Sequence, residues 1–86
     1  MSTIIDQQKN QHKNRLKYVS EKLMDIQTES IKEIYGIVTD HLNFHQNHAM
    51  LDRLYMMTYI DTVLRKVSEP VLLTIINVVI NAPQID

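Results

Sequence analysis

The feature that most constrains this chain is a stripe of apolar residues that returns at the helical period from Leu16 to Leu42. Its successive members are three, four, three, five, three, four and four residues apart, a mean interval of about 3.7 residues that is close to the helical period of 3.6. Charged and amide side chains fill the positions between them. This pattern predicts one long amphipathic α-helix with the stripe along one face. The N-terminal stripe consists of Leu16, Val19, Leu23, Ile26, Ile31, Ile34, Val38 and Leu42.

The composition favours an all-α fold in a single domain, residues 1–86. One Gly and two Pro leave few sites for the sharp turns of a sheet-rich chain, and 44% apolar residues are typical of a folded protein. The absence of Cys excludes disulfides and thiolate metal sites. The N-terminus does not resemble a signal peptide, and the longest apolar-rich run, 71–80, is too short to span a bilayer. We therefore expect no membrane span and a cytoplasmic location.

The first predicted helix begins near Thr3 and continues to Leu42. The residues between Asp6 and Arg15 are almost purely polar, which predicts a frayed or projecting helix start over residues 1–14. Gly36 is the only glycine, and a helical Gly costs about 1 kcal/mol relative to Ala. The N-terminal stripe continues beyond it, so we do not end the helix there.

Two shorter helices are expected after a break at 43–48. Asn47 is a suitable N-cap for a second helix running from about His48 to Val67, and its first half is apolar on nearly every side, which predicts burial by several neighbours. Pro70 then suits the first turn of a third helix.

The third helix is predicted over residues 71–81 although its many Val and Ile residues favour strands. Thr74, Asn77 and Asn81 lie three and four residues apart, and only the helical period brings them onto one face. We expect this helix to be mostly buried and to end before Pro83, with residues 83–86 as a tail.

The helix lengths predict a homo-oligomer. A 40-residue helix is about 60 Å long, whereas a compact 86-residue domain is about 30 Å across. One chain is then too short to cover the N-terminal stripe, which favours a helical bundle or coiled coil of several chains, most simply a homodimer. The residues assigned to this interface are Leu16, Val19, Leu23, Ile26, Ile31, Ile34, Met50, Leu54 and Met57.

A histidine cluster is the sharpest candidate for a ligand site. His41, His45, His48 and Asp52 are spaced four, three and four residues apart, so an unbroken helix would project all four from one face. Histidines at i and i+4 can share a divalent metal, and grouped histidines titrate near pH 6.5. The break expected at 43–48 favours a polar turn instead, so we predict no stoichiometric metal and no cofactor.

The second candidate is a basic stripe near the N-terminus. Residues 1–22 carry five basic and two acidic side chains, net +3, whereas residues 23–52 carry one basic and five acidic side chains, net −4. A projecting basic helix suits a partner surface or nucleic-acid phosphates, and the overall charge of −1 argues against nucleic acid. The candidate partner-binding residues are Lys9, Lys13, Arg15, Lys17 and Tyr18.

No enzyme signature is present, because the chain lacks Cys, a Gly-rich phosphate loop and a Gly-flanked Ser nucleophile. In composition alone it resembles the small, Gly-poor accessory proteins of AT-rich phages and their hosts, and this resemblance implies a regulator or inhibitor that binds another protein. We therefore predict a homo-oligomeric helical protein-binding regulator. The alternatives are a dimeric nucleic-acid binder that uses the basic stripe and a metal- or pH-responsive protein that uses the histidines.

Overall fold

Four α-helices form the part of the chain that the computed structural model describes, residues 4–42 and 52–85, with side chains from residue 10 onward. They are α1 (Ile4–Lys22), α2 (Thr28–His41), α3 (Arg53–Val63) and α4 (Glu69–Asn81), and a 3₁₀ turn, Leu64–Lys66, extends α3. Within these ranges the only extended pairing is one isolated antiparallel bridge. The predicted all-α fold is confirmed.

The single long helix predicted from Thr3 to Leu42 is wrong, because the chain leaves the helical path at 23–27. Residues 23–25 turn, Ile26 is extended, and Gln27 has the extended backbone of an N-cap before α2. The break ends at the start of the five-residue interval of the N-terminal stripe, between Ile26 and Ile31, where the apolar spacing departs most from the helical period. Breaking here lets both halves of the stripe turn toward the same core. Gly36 lies inside α2, so the expectation that it does not end a helix is confirmed.

The C-terminal segment, predicted as a tail, is paired with this break. Gln27 N donates to Pro83 O at 3.0 Å, and Ile85 N donates to Asp25 O at 2.8 Å, on either side of a bridge between Ile26 and Gln84. These bonds satisfy backbone groups that the interrupted helix leaves without a partner in the next turn. Residues 83–85 therefore close the fold.

The core is assembled from all four helices of one chain. α2 packs against α3 and α4, and α1 packs against α4. The radius of gyration is 13.7 Å, near the value of about 12 Å for a compact domain of this length. The most deeply buried side chains of the N-terminal stripe, each exposed by 2% or less, are Val19, Leu23, Ile26, Ile31, Ile34 and Val38.

This burial changes the argument for an interface between chains. Five of the residues assigned to that interface lie in the chain's own core, so one chain does cover the stripe once the helix is divided. Of the others, Leu16 is half-buried, Met57 is half-buried, Leu54 is 72% exposed, and Met50 lies outside the described residues. Homo-oligomerisation stays a prediction, but the length of the first helix no longer supports it.

The second predicted helix begins later than expected. Asp52 is extended and caps α3, with Tyr55 N donating to Asp52 Oδ1 at 2.7 Å, so the predicted start at His48 is wrong. The predicted break at 43–48 and its N-cap Asn47 lie outside the described residues. The expected burial on every side is also wrong, because Leu54 and Tyr55 are exposed while Met56 is buried.

The third predicted helix is confirmed as α4. Pro70 occupies its first turn, and the helix ends at Asn81 before Pro83. Thr74, Asn77 and Asn81 share its exposed face, as their spacing predicts. Burial is less complete than expected: α4 turns Leu72, Ile75 and Val79 into the core but leaves Leu73 and Ile80 exposed.

Within the described ranges, no helix combines the length and hydropathy that crossing a bilayer requires.

Candidate functional site

An open groove of about 900 Å³ lies between α1 and the C-terminal end of α3. Leu16 and Leu64 are the apolar lining residues, half-buried and buried respectively, and they form its floor. Lys13 and Lys17 border the groove from α1, and Arg65 borders it from the 3₁₀ turn. We call this site the basic groove. It joins an apolar surface to three exposed cations.

The α1 side of the groove is formed by residues that helical spacing places together. Lys13, Leu16, Lys17 and Ser20 recur at intervals of three, one and three, which keeps them on one side of the helix. Lys17 has a neighbouring carboxylate in Glu21, but the Nζ–Oε1 distance is 4.0 Å and both side chains are well exposed. Such an exposed ion pair contributes little free energy and does not hold Lys17 in place. The α1 cations are therefore available to a ligand.

The Asp61 carboxylate lines the groove and accepts a hydrogen bond from the opposite wall. Ser20 Oγ on α1 donates to Asp61 Oδ1 on α3 at 2.5 Å. This bond joins the two helices across the floor and uses one oxygen of Asp61. Three lysine and arginine side chains against one hydrogen-bonded carboxylate leave the groove with a net positive charge.

One end of the groove is fixed by an ion-pair cluster. His12 Nδ1 lies 2.6 Å from Glu69 Oε2, and the Arg15 guanidinium donates to Glu69 Oε1. The hydrogen bond from His12 is the main cause that lowers the pKa of the Glu69 carboxyl; desolvation opposes it, and the Arg15 charge lowers the pKa further. The cluster ties α1 to the first turn of α4.

The structure separates the five residues predicted for partner binding. Lys13 and Lys17 lie on the groove, but Arg15 is engaged by Glu69. Tyr18 is half-buried away from the groove, with Lys22 Nζ 6.0 Å from its ring centroid. The side chain of Lys9 lies outside the described residues. No signal in the sequence connects Arg65 to this stripe, because it comes from a distant helix.

The candidate one-face arrangement of His41, His45, His48 and Asp52 requires one unbroken helix from residue 41 to residue 52. α2 ends at His41, and Asp52 precedes a new helix, so no unbroken helix joins them. His45 and His48 lie outside the described residues. Elsewhere, in residues 4–42 and 52–85, no three His, Cys, Asp or Glu side chains are grouped to hold a metal ion.

The groove chemistry favours binding over catalysis. Ser20 has a carboxylate partner, but His12, the lining imidazole, is two helical turns away, about 12 Å along the axis, and is held by Glu69. A nucleophile and its base need hydrogen-bond contact. The lining residues instead offer cations around an apolar floor.

No protein-family model, curated protein or solved structure matches this chain.

Proposed function

We propose that this protein is a small helical protein-binding regulator or inhibitor that holds an acidic amphipathic segment of another protein in the basic groove. The supporting observation is the pairing of an apolar floor, Leu16 and Leu64, with cations on both walls, Lys13, Lys17 and Arg65. An amphipathic helix docks its apolar face into such a groove, and acidic residues beside that face meet the rim charges. The proposed action needs no catalytic group.

A protein segment fits these features better than nucleic acid does. The apolar floor has no counterpart in a phosphate backbone. Arg15, which would extend the basic stripe, is already paired with Glu69. Four basic side chains in a row would favour phosphate binding, but only Lys13 and Lys17 of the described stripe border the groove.

The remaining elements of the proposal are assembly and location. We propose a cytoplasmic protein that forms a homo-oligomer, most simply a dimer, and that resembles phage-type accessory proteins in its mode of action.

Capture from an extract of the native cell tests the proposal. The double variant Lys13→Glu with Lys17→Glu reverses the α1 wall, and Lys66→Glu reverses an exposed charge just outside the groove. We expect one protein to be retained by the wild type and by Lys66→Glu, and lost from the double variant. If the double variant retained the same protein as the wild type, the proposal would be overturned. Capture of nucleic acid with a steep salt dependence would replace it by the nucleic-acid alternative.

A further inference from the structure

The outer face of α2 carries a charge opposite to that of the basic groove. Glu29, Glu33 and Asp40 are four and seven residues apart, which confines them to an arc of about 40° on the helix. All three are exposed. Lys32 lies beside them, with its Nζ 3.5 Å from Glu29 Oε1. We call Glu29, Glu33 and Asp40 the acidic face.

Gly36 lies in the middle of the acidic face, one turn after Glu33 and one turn before Asp40. Among the described residues, a Cβ atom built at Gly36 would have nothing within 4 Å, so their packing does not require a glycine there. Glycine is also the least favourable residue other than proline for a helix interior. A glycine that the chain itself does not need is explained when another backbone approaches closely at that point.

We propose that a second copy of this chain docks the acidic face of its α2 into the basic groove. The inference rests on the proposed function, that the groove holds an acidic helical segment, and it names the partner. Glu29 and Glu33 are one turn apart, as are Lys13 and Lys17, so the two rows match in spacing as well as in sign. Ile37, beside Gly36, is half-buried against the core of its own chain, so the docked face meets the groove through its charges.

In a dimer the contact is reciprocal, because each copy places its acidic face in the groove of the other and a twofold axis relates the two contacts. Its strength depends on charges at exposed sites, so added salt weakens it. A copy seated in the groove also excludes any other acidic partner. Self-association and partner binding are therefore competing states of one site.

Sedimentation velocity of the full chain tests the inference at low and high salt. We expect self-association at low salt that high salt reverses. Lys17→Glu and Glu33→Lys should each weaken it by about tenfold or more, and the two reversals together should restore it in part. Lys66→Glu, outside both surfaces, is the matched control and should leave it unchanged.

Gly36→Gln separates docking from folding. Glutamine is a better helix former than glycine and meets open space, so the variant should melt at a higher temperature than the wild type. The same side chain would stand between the docked helices and weaken self-association. A chain that associates through another surface would gain stability without losing affinity, and that result overturns the inference.

A synthetic amphipathic helix of Leu, Ala and Glu distinguishes this inference from the proposed function. If the wild-type chain binds this peptide in the groove but stays monomeric at about 100 μM in low salt, the inference fails and the proposed function stands. If neither the peptide nor a second copy binds, both fail. Displacement of the peptide by the double variant Lys13→Glu with Lys17→Glu, which keeps the acidic face but has a reversed groove wall, supports both.

Discussion

Arg53 holds the break between α1 and α2, and replacing it by alanine tests why the long helix is divided. Its Nη2 donates to Leu23 O at 3.2 Å and to Met24 O at 3.3 Å, and its Nη1 donates to Thr28 Oγ1 at 3.2 Å. The two carbonyls follow the last turn of α1, where no further helical N–H reaches them. A guanidinium is suited to this position, because it supplies several donors and a positive charge at the negative end of the helix.

The expected cost of Arg53→Ala follows from these three contacts. A hydrogen bond to a charged group contributes about 1.5–3 kcal/mol when it is buried. The Arg53 contacts are long and partly exposed and depend on one side chain, so we expect a total loss of about 2 kcal/mol rather than a sum of three. For a domain of this size that loss lowers the melting temperature by about 8–16 °C. Arg53→Lys keeps the charge but fewer donors, and should lose about half as much.

Thermal and urea unfolding followed by far-ultraviolet circular dichroism measure this loss. Lys66→Ala is the control, because it removes an exposed basic side chain from the end of the following 3₁₀ turn and should change stability by less than about 0.5 kcal/mol. If Arg53→Ala unfolded like the control, the break would not depend on the guanidinium. The assignment of this residue as the clamp of the α1–α2 turn would then be wrong.

Two further perturbations test the intrachain core and the ion-pair cluster. Leu23→Ala should lower the free energy of unfolding by about 2–5 kcal/mol at every protein concentration. Met24→Ala is the control, because this side chain is 69% exposed and its loss should cost less than about 0.5 kcal/mol. If high protein concentration restored the melting temperature of Leu23→Ala, Leu23 would lie in an interface between chains. The pKa of Glu69 is lowered from its ordinary value of 4.5 by His12 and Arg15, so its contribution to stability is complete above that value and is lost as the pH falls through the lowered pKa. As the pH is lowered, the melting temperature of Glu69→Gln should therefore fall less than that of the wild type. Parallel plots of melting temperature against pH would contradict the role assigned to Glu69.

The sequence predicts most of what is periodic in this fold. The N-terminal stripe marks core residues correctly on both sides of the break, because each half keeps the helical period and the same side faces inward. The polar spacing of Thr74, Asn77 and Asn81 identifies α4 as a helix despite its many β-branched residues. Pro70 and Pro83 mark its limits, since proline is tolerated in the first turn and cannot continue a helix.

The break at 23–27 could not be located in this way, because its causes lie far along the chain. Neither Gly nor Pro occurs there, and the only local trace is the five-residue interval between Ile26 and Ile31. The turn depends on the Arg53 guanidinium and on backbone pairing with residues 83–85. Such tertiary contacts override a local preference for helix.

In the candidate site too, spacing along one helix is predictable from the sequence, whereas contacts between distant parts of the chain are not. Lys13 and Lys17 are predictable because they are one turn apart on one helix. Arg65 and Asp61 reach the groove because the fold brings the end of α3 and its 3₁₀ turn beside α1, and Arg15 is engaged by Glu69, 54 residues away in the sequence. Spacing identifies residues that share a face, but ion pairs between helices decide which of them stay available to a ligand.

The broken helix also explains how one chain can offer two complementary surfaces. In a continuous helix the basic residues of 1–22 and the acidic residues of 23–52 would follow each other along one rod, and opposite charges on neighbouring turns would pair within it. The turn at 23–27 instead packs α2 against α3 and α4, and leaves its acidic face outward on a different element from the basic groove. Because the net charge is only −1, little overall repulsion opposes contact between copies at low salt. The turn at 23–27 lets one chain cover the N-terminal stripe, so helix length no longer requires an oligomer. The same turn separates the two surfaces through which we propose that copies associate.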